Sequence, residues 1–368
     1  MAKRSKVTEG TDIPEGRFPA VDLPIKPPYP PMEAKRVEAV PQGQGWQYEP
    51  KWDGFRALVF RDGATLTIQS KAGQPLDRYF PELADAFLRL DADAFVLDGE
   101  IVVPVDGRLS FDDLLQRIHP AASRIKKLSE QSPARFFAFD LLAGPARTGA
   151  VSHVQKSLEE RRKLLEEFVG RYEGAPIIQL SPATRDRSVA GQWFEEFGSL
   201  GLDGVMAKRI SEPYHSGDRD GMVKVKHLKT ADCVVGGFRY ATGSKAIGSL
   251  LLGLHDEEGH LVFIGHASSF KKNEKTELKE IVEPLISENP FSVRVPGGPS
   301  RWSTEKSGEW VPVKPKLVCE VEYDYFSQMR FRHGSRFIRW RPEKKPQQCL
   351  MDQVDPRQRK GTLKELGL

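Results

Sequence analysis

Lys51, Asp53 and Arg56 stand at fixed offsets in Glu49-Pro50-Lys51-Trp52-Asp53-Gly54-Phe55-Arg56, between an expected strand and a turn. A lysine amine is a nucleophile only when neutral, and a free lysine has a pKa near ~10.4. Lys51 can therefore attack an electrophile only where its surroundings favour the neutral amine, through nearby cations or a bound metal. Two such cations lie downstream in Met222-Val223-Lys224-Val225-Lys226, where alternation by two puts both ammonium groups on one face of a strand. Glu100 interrupts the apolar run Leu97-Asp98-Gly99-Glu100-Ile101, a costly place for a charge unless it is paired or metal-bound. Taken singly, each has a bland reading: a solvated lysine in a turn, a solvated lysine face, a turn acid. Their joint occurrence in one chain argues for a site.

The elements that must carry these residues are short strands from Trp46 onward. Arg61-Asp62-Gly63-Ala64 between the β-rich runs 55–60 and 65–68 predicts a hairpin. Further strands are expected over 95–104, 134–142, 177–180, 204–210 and 222–227. Ser110 reads as a helix N-cap, Ser157 and Glu160 as a capping box for a helix ending at Gly170, and another helix is expected over 189–197. After about residue 229 come five strand candidates, 233–238, 249–255, 261–266, 317–325 and 337–341, with one helix over 274–286. Many strands with few helices, and no βαβ alternation, make an α+β fold. Five strands and one helix in the second part fit a small OB-type barrel.

The chain has 368 residues, enough for two cores, and a net charge of only +4. Such a balance demands no polyanionic partner by itself, so affinity for nucleic acid has to come from local patches. No apolar run approaches a membrane span, and no apolar segment follows the basic Met1-Ala2-Lys3-Arg4 start, so neither a membrane anchor nor a signal peptide is expected. Cys233, Cys319 and Cys349 form neither a disulfide framework nor a zinc spacing, which suits a reducing cytoplasm. The expected organisation is a disordered extension over 1–23, a first domain over 24–228 opened by a proline-rich extended lead-in, a barrel over 229–345, and a polar tail over 346–368.

These motifs, in this order, resemble the ATP-dependent DNA ligases, and more broadly the covalent nucleotidyl transferases. The resemblance spans roughly residues 30–345. It is closest to the small bacterial type, with a nucleotidyltransferase domain (ATP-grasp-like, antiparallel sheets with helices) and an OB domain but no N-terminal helical DNA-binding domain. It implies that Lys51 forms a lysine–AMP adduct and that Asp53 and Arg56 complete its motif, with Arg56 holding nucleotide and strand ends. Glu49 would read the adenine edge. Lys71, in Ser70-Lys71-Ala72-Gly73, stands where the family has a basic residue, usually arginine, against ribose or a strand end. Phe139, in Phe136-Phe137-Ala138-Phe139-Asp140, would stack on the base, although an aromatic in a strand is ordinarily core. Glu100 and Asp203 would be the metal carboxylates, Asp203 replacing the usual glutamate of a motif that continues to Lys208. Lys224 and Lys226 would contact the α-phosphate and depress the pKa of Lys51. Arg341 and Lys344, in Arg341-Pro342-Glu343-Lys344, resemble the motif that orients pyrophosphate.

The resemblance further implies ATP and Mg²⁺ or Mn²⁺ as cofactors, nicked duplex DNA as substrate, and a hinge near residues 227–232. A monomer is expected, with repair polymerases or end-binding proteins as possible partners. An RNA ligase or a GTP-using capping enzyme shares the lysine chemistry and differs in nucleotide and polynucleotide preference. A non-catalytic OB module that binds single strands is the alternative of a different class; it predicts that Lys51→Ala changes nothing.

Overall fold

Period-two runs build most of this molecule, a computed structural model describing residues 18–354 except 173–176, 197–201, 227, 269, 271–273, 295 and 297–308. The chain divides into two compact units, the first ending at Lys226 and the second opening at His227.

The first unit has two sheets. One is β1 (Lys35–Val37), β12 (Met222–Lys226), β11 (Leu202–Arg209) and β2 (Trp46–Trp52), adjacent in that order. The other runs β10 (Ile178–Leu180), β8 (Arg135–Pro145), β5 (Ala94–Val102), β3 (Phe55–Asp62) and β4 (Thr65–Ser70), with β9 (Ala150–Ser152) added to β8. A small hairpin joins β6 (Pro104–Val105) to β7 (Arg108–Leu109). Most pairs are antiparallel, but β1–β12 and β10–β8 are parallel. The β3–β4 hairpin forms where expected, with Asp62 opposite Thr65 and Gly63 at φ +58°.

The middle strand β8 is buried along nearly its whole length, because helices cover one face of its sheet and the lead-in segment covers the other. Phe80, Leu83, Phe87, Phe95, Phe136 and Phe168 fill the helix side. Helix α2 (Phe111–Gln116) is capped by Ser110, and α4 (Leu158–Gly170) by the Ser157–Glu160 box, both as the residue types predict. The expected helix over 189–197 is α5 (Arg187–Glu196).

Helices α1 (Pro81–Leu88) and α3 (Ala122–Gln131) and the short strands β1, β7, β9, β17 (Phe326–Ser327) and β18 (Arg330–Phe331) were not expected from the sequence. Both helices are short, and neither start is marked by a side-chain cap bond. The three-residue β1 is held by register with β12 rather than by its own pattern.

The lead-in is more than an extended approach. Val21 and Leu23, inside the span expected to be disordered, are buried with Ile25, Met32 and Ala34 against Leu58, Phe60, Val96 and Met222. Spaced apolar residues among prolines have no helix or strand period, yet each fills a hole in a sheet face. The rest of that extension, residues 1–17, lies outside the described residues.

The second unit is a closed five-stranded barrel, β13 (Lys229–Tyr240), β14 (Ile247–His255), β15 (Leu261–Ser268), β19 (Ser335–Trp340) and β16 (Val311–Tyr323), in that circular order. Closure comes from β13 against β16, with Cys233 opposite Cys319, and from a short parallel contact of β15 with β19. A minor hairpin, β17 (Phe326–Ser327) with β18 (Arg330–Phe331), precedes β19. Helix α6 (Glu274–Val282) packs Leu278 and Val282 into the core. All three cysteines are fully buried free thiols in that core, and burial pushes their pKa values up, Cys349 to about 11.

Two further expectations change here. The segment after 345 is not merely a polar tail: Cys349 and Val354 are buried in the barrel core, and Gln353 exchanges hydrogen bonds with the backbone of Asp232. Residues 355–368 lie outside the described residues. Of the span 227–232 expected to form a hinge, Lys229–Asp232 are strand residues paired with β16 in the barrel ladder.

Candidate active site

Strand register brings the first-unit residues together. Lys51 on β2 lies opposite Gly204 on β11, and Gly204 lies opposite Lys226 on β12. One step along, Met206 faces both Glu49 and Lys224. In the other sheet Arg56 on β3 faces Glu100 on β5. Between the two sheets is a cleft of about 180 Å³, lined by Glu33, Glu49, Lys51, Arg56, Lys71, Glu100, Phe139, Lys208 and Lys224 among others.

The turn Asp53-Gly54 carries the chain from one sheet to the other and needs glycine. A Cβ on Gly54 would stand 2.1 Å from the Ile101 carbonyl oxygen and 2.9 Å from Glu100 Cγ. The Gly54 N–H donates to Glu100 Oε1 at 3.2 Å, which ties the turn to the acid.

Asp203 is the extra residue of a β-bulge: Leu202 pairs with Trp52, but Gly204 pairs with Lys51. Bulges re-aim a side chain, and here Asp203 accepts from Lys51 Nζ at 2.7 Å and has Lys226 Nζ at 3.5 Å. The shorter acid therefore reaches the lysine. Gly204 follows it at φ +140°, with space for a Cβ closed off 2.0 Å away by the Val225 carbonyl oxygen.

The electrostatics correct one expectation. Burial pulls the Lys51 ammonium down, but the Asp203, Asp53 and Glu100 carboxylates outweigh it and leave the Lys51 pKa above its ordinary value. The amine that the cation cluster depresses is Lys224, lowered first by burial and then by Lys51, Lys71 and Lys226. Lys51 is thus held protonated on Asp203.

Glu100, which keeps a solvent-facing edge in the cleft, is driven up to about 8 by burial, against the opposing pull of Lys51 and Arg56. A carboxyl whose folded pKa is raised binds its proton more tightly than in the unfolded chain. It therefore contributes stability at low pH that is lost between the ordinary carboxylate range and about 8. Glu100→Gln should flatten that loss, so the variant gains thermal stability relative to wild type on going from pH 5 to pH 8. Paired melting curves check this, and parallel pH dependences for the two proteins would refute it.

Such a carboxyl fits a hard divalent cation, whose charge would restore its ionised form. Glu100 and Asp203 are the residues that would hold one. Among the described residues, the one trio of possible ligands close enough to share an ion is Asp256, Glu258 and His260, an exposed turn in the other unit. An ion in the cleft would therefore keep water or phosphate oxygens in its shell, as Mg²⁺ prefers.

The surroundings of Glu49 and Phe139 are equally organised. Glu49, buried, accepts from Lys208 Nζ and from Gln47 Nε2, each at 2.8 Å. Lys208 Nζ lies 4.6 Å and Arg56 Cζ 5.1 Å from the centre of the Phe139 ring, so cations flank the aromatic. Lys71 lines the cleft, half-exposed, paired with Glu33 at 3.1 Å. Lys208, Asp98, Tyr214 and Glu33 had no assigned role in the sequence reading. Lys208 and Asp98 were legible as members of their motifs, whereas Tyr214 and Glu33 carried no local signal. Arg341 and Lys344 lie in the second unit, where they grip the two oxygens of Asp232 at 2.8 and 2.7 Å.

A lysine at the junction of two sheets, ringed by carboxylates and cations with an aromatic beside them, and a barrel following in the same chain, define a covalent nucleotidyl transferase. Family models make the class narrower: the ATP dependent DNA ligase domain matches residues 31–226, and the ATP dependent DNA ligase C terminal region matches residues 243–344. The chain is 45% identical over 345 residues to DNA ligase C1 of Mycolicibacterium smegmatis, covering 91% of this chain and 96% of that one. It is 42% identical over 350 residues to DNA ligase C of Mycobacterium tuberculosis, with the same coverages. A solved structure from a study of Lig E DNA ligases shares the fold, with a TM-score of 0.53 at 16% identity over 85% of this chain and 99% of that one. The chain belongs to the ATP-dependent DNA ligases. Among the described residues no helix is long and apolar enough to cross a membrane.

Proposed function

We propose that Lys51 is the nucleophile with which this ligase seals 3′-hydroxyl/5′-phosphate nicks in duplex DNA. The observation that carries the reading is the position of Lys51 Nζ in the cleft, 2.7 Å from Asp203 and within the field of Asp53 and Glu100. The ammonium first loses a proton to solvent, and the neutral nitrogen attacks the α-phosphorus of ATP: an N–P bond forms, the bond from that phosphorus to the bridging oxygen breaks, pyrophosphate leaves, and the nitrogen releases its second proton to solvent. AMP then passes to the 5′-phosphate at the nick, and the 3′-hydroxyl displaces it to close the strand.

Each transfer is an in-line phosphoryl displacement, so positioning and charge neutralisation dominate. Lys224 and Lys226 neutralise the α-phosphate, Phe139 stacks on the base, and Glu49 with Lys208 reads its edge. Arg56 and Lys71 hold the ribose or strand ends, and Asp53 supports the lysine turn. Arg341 and Lys344 are assigned to pyrophosphate, and to serve it they must exchange Asp232 for the leaving group. Mg²⁺ or Mn²⁺ held by Glu100 and Asp203 would supply charge neutralisation and weaken the hold of Asp203 on Lys51. The protein is read as a cytoplasmic monomer that takes nicks left by a repair polymerase or presented by an end-binding protein.

The test is incubation with ATP labelled at the α-phosphate, followed by a chase with nicked duplex DNA. The expected label on the protein is acid-labile and alkali-stable, passes to the DNA 5′ end, and is released as AMP on sealing. A protein that takes no label, even after pyrophosphate has stripped AMP carried through purification, sinks the reading. Transfer to RNA in preference to DNA would move it to the RNA ligases. DNA affinity should fall as salt rises, through Lys226, Lys229 and the basic residues of Arg330–Arg341. A flat response between low and physiological ionic strength would remove those patches from the account.

A further inference from the structure

Arg56 is held from behind by a group far away in sequence. Its Nε and Nη2 donate to the two oxygens of Asp98 at 2.9 and 2.6 Å, and Asp98 has no exposed surface. The Asp98 Oδ2 that takes Nη2 also accepts from the Tyr214 hydroxyl at 2.6 Å. That hydroxyl in turn accepts from the backbone N–H of Met32 at 2.9 Å. Tyr214 sits in the connection between β11 and β12, almost completely buried. Its ring is itself fixed, stacked on Tyr29 with centroids 6.4 Å apart and under Arg161 at 5.7 Å. Arg161 forks onto Asp140, the residue after Phe139. One phenol therefore ties the lead-in, the Asp98 strand and the strand of the base-stacking aromatic into a single frame.

We propose that Tyr214 is a positioning residue for Arg56, acting through Asp98 to set the guanidinium beside Phe139 at the nucleotide cleft. The proposal rests on the reading of Arg56 as a nucleotide-holding group. A carboxylate terminal torsion is broad and roughly two-fold, so the Arg56 fork alone leaves Asp98 free to rock. A second donor on Oδ2, anchored at Met32, removes that freedom. The gain falls on Arg56 because a guanidinium makes directed bonds from a rigid plane, so a small tilt at Asp98, which takes its Nε and Nη2, turns the whole plane. Tyr214 touches no reacting atom.

Tyr214→Phe keeps the ring and its packing and deletes only the hydroxyl. In single-turnover lysine adenylation the apparent Kd for ATP should rise about ten-fold, the scale of one hydrogen bond to a charged group. The limiting rate should fall less than about three-fold, because Lys51 and its carboxylates are untouched. In the Arg56→Ala background the same substitution should change nothing, since the group it positions is gone. A purely structural tyrosine would lower the limiting rate or active fraction, leave the Kd for ATP unchanged, and add its effect to that of Arg56→Ala; that pattern overturns the proposal. Should Tyr214→Phe lose its cooperative thermal transition, Asp98→Asn takes its place in the cycle, and additivity with Arg56→Ala would again overturn it. Wild type that takes up no AMP defeats the underlying reading; wild type that does so, beside an unchanged Tyr214→Phe, defeats only this proposal.

Discussion

Lys51→Arg should abolish AMP uptake while leaving sealing of a pre-adenylated nick within about ten-fold of wild type. Arginine preserves the cation that pairs with Asp203 at 2.7 Å, so the carboxylate cluster around it stays neutralised. It cannot supply a neutral nitrogen, because the guanidinium is never deprotonated in a protein. Losing the nucleophile of a covalent route should cost at least about four orders of magnitude in adenylation. The final step needs no lysine nucleophile, since the AMP is already on the DNA. Label transfer from ATP and gel-resolved sealing of a synthetic pre-adenylated nick report the two steps separately. Equal loss of both would make Lys51 a structural cation, and label on the arginine variant would move the nucleophile elsewhere.

The second large effect is expected at a residue with no side chain. Gly54→Ala places a methyl carbon 2.1 Å from the backbone oxygen of Ile101, which cannot swing aside as a side-chain tip would. Strands β3 and β5 are locked there by the Phe55–Ile101 and Arg56–Glu100 pairs, so relief has to come from moving the Asp53-Gly54 turn. Overpacking of this kind costs about 1–3 kcal/mol or more. The turn connects Lys51 to Arg56, and a displacement of about 1 Å between reacting groups lowers rate by roughly 10²-fold. The alanine variant should therefore melt several degrees lower and adenylate at least about 100-fold more slowly. A melting temperature and a rate near wild type would show that the turn tolerates a Cβ, contrary to its packing.

Much of the site was legible because strands write function locally. Lys224 and Lys226 share a face by alternation, Lys51 and Arg56 flank a turn that glycine makes possible, and Glu100 stands out in an apolar run. The capping residues of α2 and α4 were equally readable, since a cap bonds three positions along its own chain. Helices α1 and α3 escaped because they are short and no side-chain cap marks where either begins. The packed segments 21–25 and 346–354 escaped for a related reason: their apolar residues fill cavities of a surface built elsewhere in the chain.

What the amino-acid order determined by itself was the inventory of the chemistry: the amine, the carboxylates, the aromatic, the paired cations, and the strands that carry them. Tertiary structure decided the state of that inventory. Asp203 reaches Lys51 across 152 positions through a bulge, and the pairing keeps the amine protonated where spacing alone suggested a depressed pKa. Tyr214 reaches Asp98 across 116 positions to brace Arg56. Spacing along a strand encodes which side chains share a face, because the backbone period is local. Which charges meet across sheets, and so which proton stays on which atom, depends on burial and distance that only the folded chain creates.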